Sequence, residues 1–282
     1  MAQGKLKIAT CQFAVRKSIW KNSHNILDNM RQAKKARADL VHFSECALSG
    51  YAGAELESTD QLDWDLLRDR TREIMQLARR FKLWVVLGST HQLTGPNKPH
   101  NSLYLINPAG RIADRYDKRF CTERDLLHYS AGNRFVTFKV NGIKCALLIC
   151  FDLRYPELYR ELKKLKVDCI IQSFYNARQK KRSIHTDIMR QSMQCRAASN
   201  YFWVSMSNTN AYYSPYPSCF IRPDGRIIGQ LKFHRPGLMV NTVDINKKFE
   251  DGMARFRPLA MKGALSSGPK INDPRSRKIN IL

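Results

Sequence analysis

The chain has 282 residues, 43% of them hydrophobic, enough for the core of one large α/β domain or two small ones. No apolar run approaches the ~18 residues a membrane span needs, and Met1-Ala2-Gln3-Gly4-Lys5 is not followed by the apolar stretch of a signal peptide; the reading is a soluble, cytoplasmic protein with no membrane partner. Lys and Arg outnumber Asp and Glu 48 to 24, a formal net charge of +24, which draws nucleic acid or anionic substrates.

In chain order, Lys7 to Phe13 reads as a first strand. Asn22 to Ala38 carries Ile26, Leu27, Met30 and Ala33 at helical spacing. Leu40 to Phe43 is a strand that ends at Ser44-Glu45, and Ser49 to Gly53 is a loop. Asp63 to Phe81 is a second helix, and Leu83 to Leu87 a buried strand. Asn101 to Ile106 and Arg111 to Tyr116 form a hairpin around Asn107-Pro108-Ala109-Gly110. A long connection, Asp117 to Asn133, holds most of the polar residues of interest.

Arg134 to Val140 and Ile143 to Ile149 pair around Asn141-Gly142, a strong hairpin signal. Glu157 to Leu165 is helix, Asp168 to Gln172 strand, Ser183 to Ala198 helix and Phe202 to Met206 strand. Cys219 to Arg222 and Arg226 to Leu231 form another hairpin, and Leu238 to Val243 is the last strand. Strands alternating with helices, with hairpins between, predict mixed sheets covered by helices in one domain, residues 1–246. Residues 247–282 hold too few apolar side chains for a core of their own. They read as a tail that lies on a partner subunit or is loosely ordered.

None of the eight cysteines forms a CxxC pair, which argues against a metal site or a thioredoxin-type motif. The basic residues are scattered. Their densest runs, Lys34 to Arg37, Arg178 to Arg182 and Arg275 to Lys278, come with no nucleic-acid-binding motif. The charge therefore reads as a property of the solvated surface, with a nucleic-acid- or anion-binding protein as the rival class.

Three places put one reactive residue at the end of a strand, where α/β active sites tend to lie. Glu45 follows Val41-His42-Phe43, Lys118 follows the strand ending at Tyr116, and Cys150 follows Leu147-Leu148-Ile149. A thiol of ordinary pKa, about 8.5, needs a base or a cation to react near neutral pH. A carboxylate can take its proton, and an ammonium can stabilise the thiolate and then a tetrahedral oxyanion. Pro156 after the cysteine suits the first turn of a helix, so the sequence reads strand, cysteine, tight turn, helix.

With these flanks the chain resembles the nitrilase superfamily, the carbon–nitrogen hydrolases. The Glu motif is Phe43-Ser44-Glu45-Cys46-Ala47-Leu48-Ser49-Gly50-Tyr51, the Lys motif Arg115-Tyr116-Asp117-Lys118-Arg119, and the Cys motif Cys150-Phe151-Asp152-Leu153-Arg154-Tyr155-Pro156-Glu157. The similarity continues through Cys195 to Asn200 and Asn208. The resemblance implies an α-β-β-α sandwich of two mixed sheets covered by helices, forming a homodimer or higher homo-oligomer. It implies cofactor-free attack on an amide or carbamoyl carbon of a small molecule, with an amidase branch favoured over nitrile hydrolysis. Glu45 is then the general base, Cys150 the nucleophile, and Lys118 the oxyanion stabiliser, helped by the backbone N–H of Phe151.

The family's second acid, counted back from Gly132, falls on Asp125, one methylene shorter than the usual Glu; Glu123 is the other candidate. Phe174, Tyr175, Asn176 and Arg178 lie where the family shapes its substrate pocket. Arg178 or Arg154 is expected to hold a substrate carboxylate by a bidentate pair. His128 and His185 sit in no Cys–His signature and read as structural or surface residues. An ω-amidase and an N-carbamoyl amide hydrolase both remain open.

Overall fold

The computed structural model describes residues 3–278 and residue 280. Two six-stranded sheets lie face to face between two helical layers. The first runs in the order β12-β1-β2-β3-β4-β5, with β1 Lys5–Gln12, β2 Leu40–His42, β3 Trp84–His91, β4 His100–Ile106, β5 Ile112–Asp117 and β12 Gly237–Asp244. The second runs β11-β10-β9-β8-β7-β6, with β6 Thr137–Val140, β7 Ile143–Ile149, β8 Cys169–Phe174, β9 Trp203–Asn208, β10 Cys219–Ile221 and β11 Ile227–Gln230. At the centre of each sheet are parallel strands, β1-β2-β3 and β7-β8-β9, and the flanking pairs are antiparallel. This is the α-β-β-α sandwich expected from the sequence.

Period-two patterning sets the layers. On β1, Leu6 and Ile8 face the second sheet, whereas Ala9 and Cys11 face α1 (Ile19–Lys35) and α2 (Trp64–Phe81). The helices answer with Ile26, Leu27, Met30, Leu67, Ile74 and Ala78. On the other side α4 (Pro156–Lys164) and α5 (Ile184–Asn200) cover the second sheet with Leu158, Tyr159, Leu162, Met189, Met193 and Ala197. The Asn141-Gly142 turn has positive φ at both residues, +50° and +84°, the geometry that favours this dipeptide in tight hairpins.

Two features differ from the sequence reading. The connection from Asp117 to Asn133 contains a short helix, α3 (Glu123–His128), started by a capping box in which Thr122 and Asp125 satisfy each other's backbone N–H. Residues 247–278 are anchored at their beginning: Phe249 packs edge-on against Trp203, and Arg257 is buried against Asp251 and the Ser199 carbonyl. Beyond Arg257 the tail, including short helices at Arg257–Met261 and Pro274–Arg277, is largely exposed.

Where the parallel strands end, the layer between the sheets turns polar. His42 Nδ1 lies 2.8 Å from Ser205 Oγ and Nε2 lies 3.0 Å from Ser173 Oγ. Thr10 Oγ1 meets Ser205 Oγ at 2.7 Å, Ser207 donates to the Cys11 carbonyl and Ser173 to the Phe43 carbonyl. Because Ser173 uses its one proton on Phe43, it can only accept from His42, so Nε2 carries the imidazole proton. Burial drives the His42 pKa down to about 3. The folded protein therefore holds this ring neutral, whereas the unfolded chain protonates it below about pH 6.5. The stabilisation is whole above that pH and is lost as pH falls from 6.5 towards 3. Replacing His42 with Gln should flatten this part of the stability profile by up to about 1.4 kcal/mol per pH unit, as read from denaturant unfolding at a series of pH values; an unchanged slope would show that His42 titrates normally.

Candidate active site

Glu45 leaves the end of β2, Lys118 leaves the end of β5, and Cys150 leaves the end of β7. All three lie at one edge of the sandwich. Two glycines bring the first two in. A Cβ on Gly88 would stand 2.0 Å from the Ser44 carbonyl oxygen, and one on Gly132 would stand 2.3 Å from the Asp117 carbonyl oxygen. Gly132 also donates its N–H to the Lys118 carbonyl at 2.8 Å, so this glycine clamps the lysine loop.

Lys118 is 1% exposed, and its ammonium lies 2.8 Å from Glu45 Oε1 and 2.8 Å from Asp125 Oδ2. Asn101 donates to the same Glu45 oxygen at 2.7 Å, and the Tyr175 N–H donates to Glu45 Oε2 at 2.7 Å. Asp125 accepts a short bond from Tyr51 and another from the Thr122 N–H. Glu123, at the start of α3, is exposed. Of the two acids considered in the sequence, Asp125 is the one that meets Lys118.

Burial opposes the charge on Lys118, but Glu45 and its other neighbours outweigh it and hold the ammonium's pKa above the ordinary lysine value. Glu45 is pushed up, first by burial, with Lys118 opposing and Asp125 adding to the rise. For Asp125 burial is outweighed by Lys118 and Tyr51, and its pKa falls.

Cys150 begins a 3₁₀ turn, Cys150–Arg154, with φ +39°. A non-glycine residue in this region is uncommon and strained. Asp152 holds the turn in place. Its carboxylate accepts from the Ile149 N–H at 2.9 Å, the Phe120 N–H at 3.0 Å and the Tyr116 hydroxyl at 2.7 Å. One buried side chain thus ties the cysteine turn to both sides of the lysine. Asn176 Nδ2 lies 3.3 Å from Cys150 Sγ. Burial and the Glu45 carboxylate raise the thiol well above its usual pKa, against the pull of Lys118, so the resting thiol is protonated. Chemically the cluster is a neutral thiol, a carboxylate with an elevated pKa, and an ammonium with one N–H left over.

A family model described as carbon-nitrogen hydrolase matches residues 7–248. The chain belongs to this family. An (R)-stereoselective amidase of Pseudomonas sp is 30% identical over 171 residues, which cover 60% of this chain and 58% of that protein; the match thus spans little more than half of that relative. A protein called hydrolase in agr operon, from Staphylococcus lugdunensis, is 31% identical over 222 residues, 74% of this chain and 88% of its own. The crystal structure of an amidase from Nesterenkonia sp. superposes with a TM-score of 0.71 at 20% identity, covering 87% of this chain and 91% of that one, and supports the fold.

The remaining candidates divide. Phe174 is buried in the core, with Tyr216 edge-on to it. Tyr175 stacks on Tyr51 with ring centroids 4.5 Å apart, and Asn176 contacts the thiol. Arg178 does form a bidentate pair, but with Glu55, at 2.9 and 3.1 Å; the Tyr175 hydroxyl donates to the same acid at 2.5 Å. Arg154 is exposed at the end of the cysteine turn. Phe151 follows Cys150 in that turn, its ring edge-on to Tyr155. His128 packs beneath Gly53 and against Tyr129, and His185 lies in the first turn of α5.

Sequence reasoning missed Asn101, Glu55 and Asp152 as site residues. Asp152 stood inside the cysteine motif and was a readable signal; Asn101, between His100 and Ser102 at the polar start of its strand, was not.

Ala at Gly132 should force Asp117 and the Lys118 loop apart and lower stability by about 1–3 kcal/mol, the usual cost of overpacking. Ala at Gly252, where a Cβ meets nothing within 4 Å, should change it by less than about 0.5 kcal/mol. Equal unfolding midpoints for the two variants would show that the close approach at Gly132 is not needed.

Proposed function

We propose that the protein is an amidase that hydrolyses a small-molecule amide through a thioester on Cys150. The observation that carries this reading is the buried Lys118 ammonium, 2.8 Å from both Glu45 and Asp125, beside a cysteine on a strained turn, in a chain of the carbon–nitrogen hydrolase family. The amidase named among the relatives supports the same substrate class.

In this reading Glu45 takes the thiol proton as sulfur attacks the carbonyl carbon. The C–S bond forms, and the C=O electron pair moves onto oxygen. That oxyanion meets the unused N–H of Lys118 and the backbone N–H of Phe151. Glu45 returns its proton to the leaving nitrogen, the C–N bond breaks, and ammonia or an amine departs. Glu45 then takes a proton from water, hydroxide adds to the thioester, and the acid leaves as the thiol is restored. Asp125 keeps Lys118 charged and aimed, and Asn176 orients the sulfur.

Ammonia release from a primary amide such as valeramide tests the reading. The native chain should release it, and Cys150→Ala should lose at least about 10³-fold in rate with unchanged circular dichroism and melting temperature. Ammonia from the Cys150→Ala chain at the native rate would sink the mechanism.

Asp125→Asn should cost far more kcat than Glu123→Gln, because only Asp125 touches Lys118. The pH profile adds a second check. Glu45 must be ionised to act, and its pKa is raised by burial, so kcat/KM should fall off on the acid side above the ordinary carboxylate range. Asp125 contributes to that rise, so Asp125→Asn should move the acid limb to lower pH; a shift upward would contradict the assignment of Glu45 as base.

A further inference from the structure

The active site occupies the end of the sandwich where the parallel strands finish. The opposite end gathers charge that the sequence scatters. α1 and α2 each return the chain to the start of the next parallel strand, so both helices finish there. α1 ends in Lys34-Lys35, with Arg37 just beyond; α2 ends in Arg79-Arg80-Phe81, with Lys82 just beyond. The two ends meet, because Lys34 Nζ donates to the Phe81 carbonyl at 3.0 Å. The turn between β4 and β5 abuts them: a Cβ on Gly110 would stand 2.9 Å from the Cβ of Arg79. That turn adds Arg111. Lys7 comes from the start of β1, its backbone N–H bonded to Asp39 just after α1.

Lys35, Arg37, Arg79, Arg80, Lys82 and Arg111 are exposed, and none of these side chains has an ion pair or a hydrogen bond among the described residues. The neighbouring acids do not answer them. Asp39 accepts the Lys7 backbone N–H at 2.8 Å, and Asp28 and Glu73, further back on the two helices, pair with Arg31 and Arg70. Cations are stabilised in the last turn of a helix, which accounts for Lys35, Arg79 and Arg80. It does not account for Arg37, Lys82, Arg111 or Lys7, which lie outside the helices. Lys7 also lines a cavity of about 490 Å³ with Lys5, Arg222 and Lys247, where Lys5 pairs with Asp244. The cavity carries the positive surface towards the second sheet.

Cations held together without acids attract a polyanion. We infer that this end of the molecule is an interface for duplex nucleic acid, held through its phosphates without regard to sequence. A duplex carries one phosphate charge per about 1.7 Å of its axis, and two packed helices stand about 8–10 Å apart, so cations from both helix ends reach one duplex. The make-up of the face selects this polyanion. Single strands are held by bases stacked on aromatic side chains, and no exposed aromatic ring belongs to these helix ends or to the β4–β5 turn. A membrane surface takes inserted apolar side chains beside the cations; in these segments Ile112, next to Arg111, is the one large apolar side chain exposed among the described residues. The face lies at the other end of the strands from Cys150, so the inference stands apart from the amidase reading.

Fluorescence anisotropy of a labelled DNA duplex of about 20 base pairs, titrated with the full-length chain, tests the interface. Affinity should fall about 10²-fold or more between about 50 and 200 mM salt, as for counterions released from about four phosphates. The triple variant Lys35→Gln, Arg79→Gln, Arg80→Gln should lower the slope of log affinity against log salt by about 2–3. A matched triple, Lys17→Gln, Lys21→Gln, Lys180→Gln, removes the same charge from the active-site end and should leave that slope within about 0.5 of the native one. All these positions are exposed, and both variants should keep the native circular dichroism. At equal salt, a single strand of the same length and vesicles containing phosphatidylserine should bind more weakly than the duplex.

Equal loss in the two triple variants would overturn the interface, because net charge alone would then set the affinity. Tighter binding of the single strand or of the vesicles would overturn the choice of partner, and so would no binding of the duplex at the lowest salt. Duplex binding with the expected slope, in a chain that releases no ammonia, would uphold the interface and overturn the amidase reading alone.

Discussion

An ammonium with 1% of its surface exposed dictates much of this fold. Taking such a charge out of water costs several kcal/mol, and only close opposite charges and well-placed hydrogen bonds offset it. Lys118 meets the demand with Glu45 from the end of β2 and Asp125 from α3. Each acid takes one of the ammonium's three N–H groups, so losing either would strip a buried donor of its partner, and the three carriers are held to one another. The glycines at 88 and 132, where any side chain would collide with backbone, are the steric counterpart of that electrostatic requirement.

The same arrangement explains why the thiol rests protonated. Glu45 and Asp125 against Lys118 leave one negative charge in the cluster, and a thiolate would add a second in a low-dielectric site. In the proposed mechanism the proton passes from Cys150 to Glu45, so the net charge of the buried cluster does not change as the nucleophile is generated. A base inside the cluster avoids the solvation cost that a proton lost to bulk water would incur. The polar seam behind the site serves a different need: it pairs the hydroxyls of Thr10, Ser173, Ser205 and Ser207 with one another, with His42 and with strand carbonyls. His42 stays neutral there and adds no charge of its own.

The order of strands, helices and hairpins in the sequence predicted mixed sheets covered by helices, the stacking of two sheets into a sandwich came from the family resemblance, and the Asn141-Gly142 hairpin and the Pro156 helix start were legible as local chemistry. Glu45, Lys118 and Cys150 were legible because each sits in a distinctive flank at a strand end. What stayed hidden is non-local. The partner of Arg178 is Glu55, 123 positions away, and no spacing rule connects them. Asn101 reaches Glu45 across 56 positions. The helix at Glu123–His128 was missed because six residues give too little periodicity, although Thr122 and Asp125 spell out its cap. That cap is also why Asp125 can serve: its backbone starts the helix while its side chain points back to Lys118.

The excess of cations, +24 over the chain, bears on the site through position as well as sum. The buried cluster is net negative, with two carboxylates against one ammonium, whereas Arg154 at the end of the cysteine turn is exposed. A net-negative cluster repels an anion and admits a neutral amide, while the exposed cations attract anions at long range. The long-range part of that attraction is screened over about 8–10 Å at physiological salt, so it acts mainly on encounter.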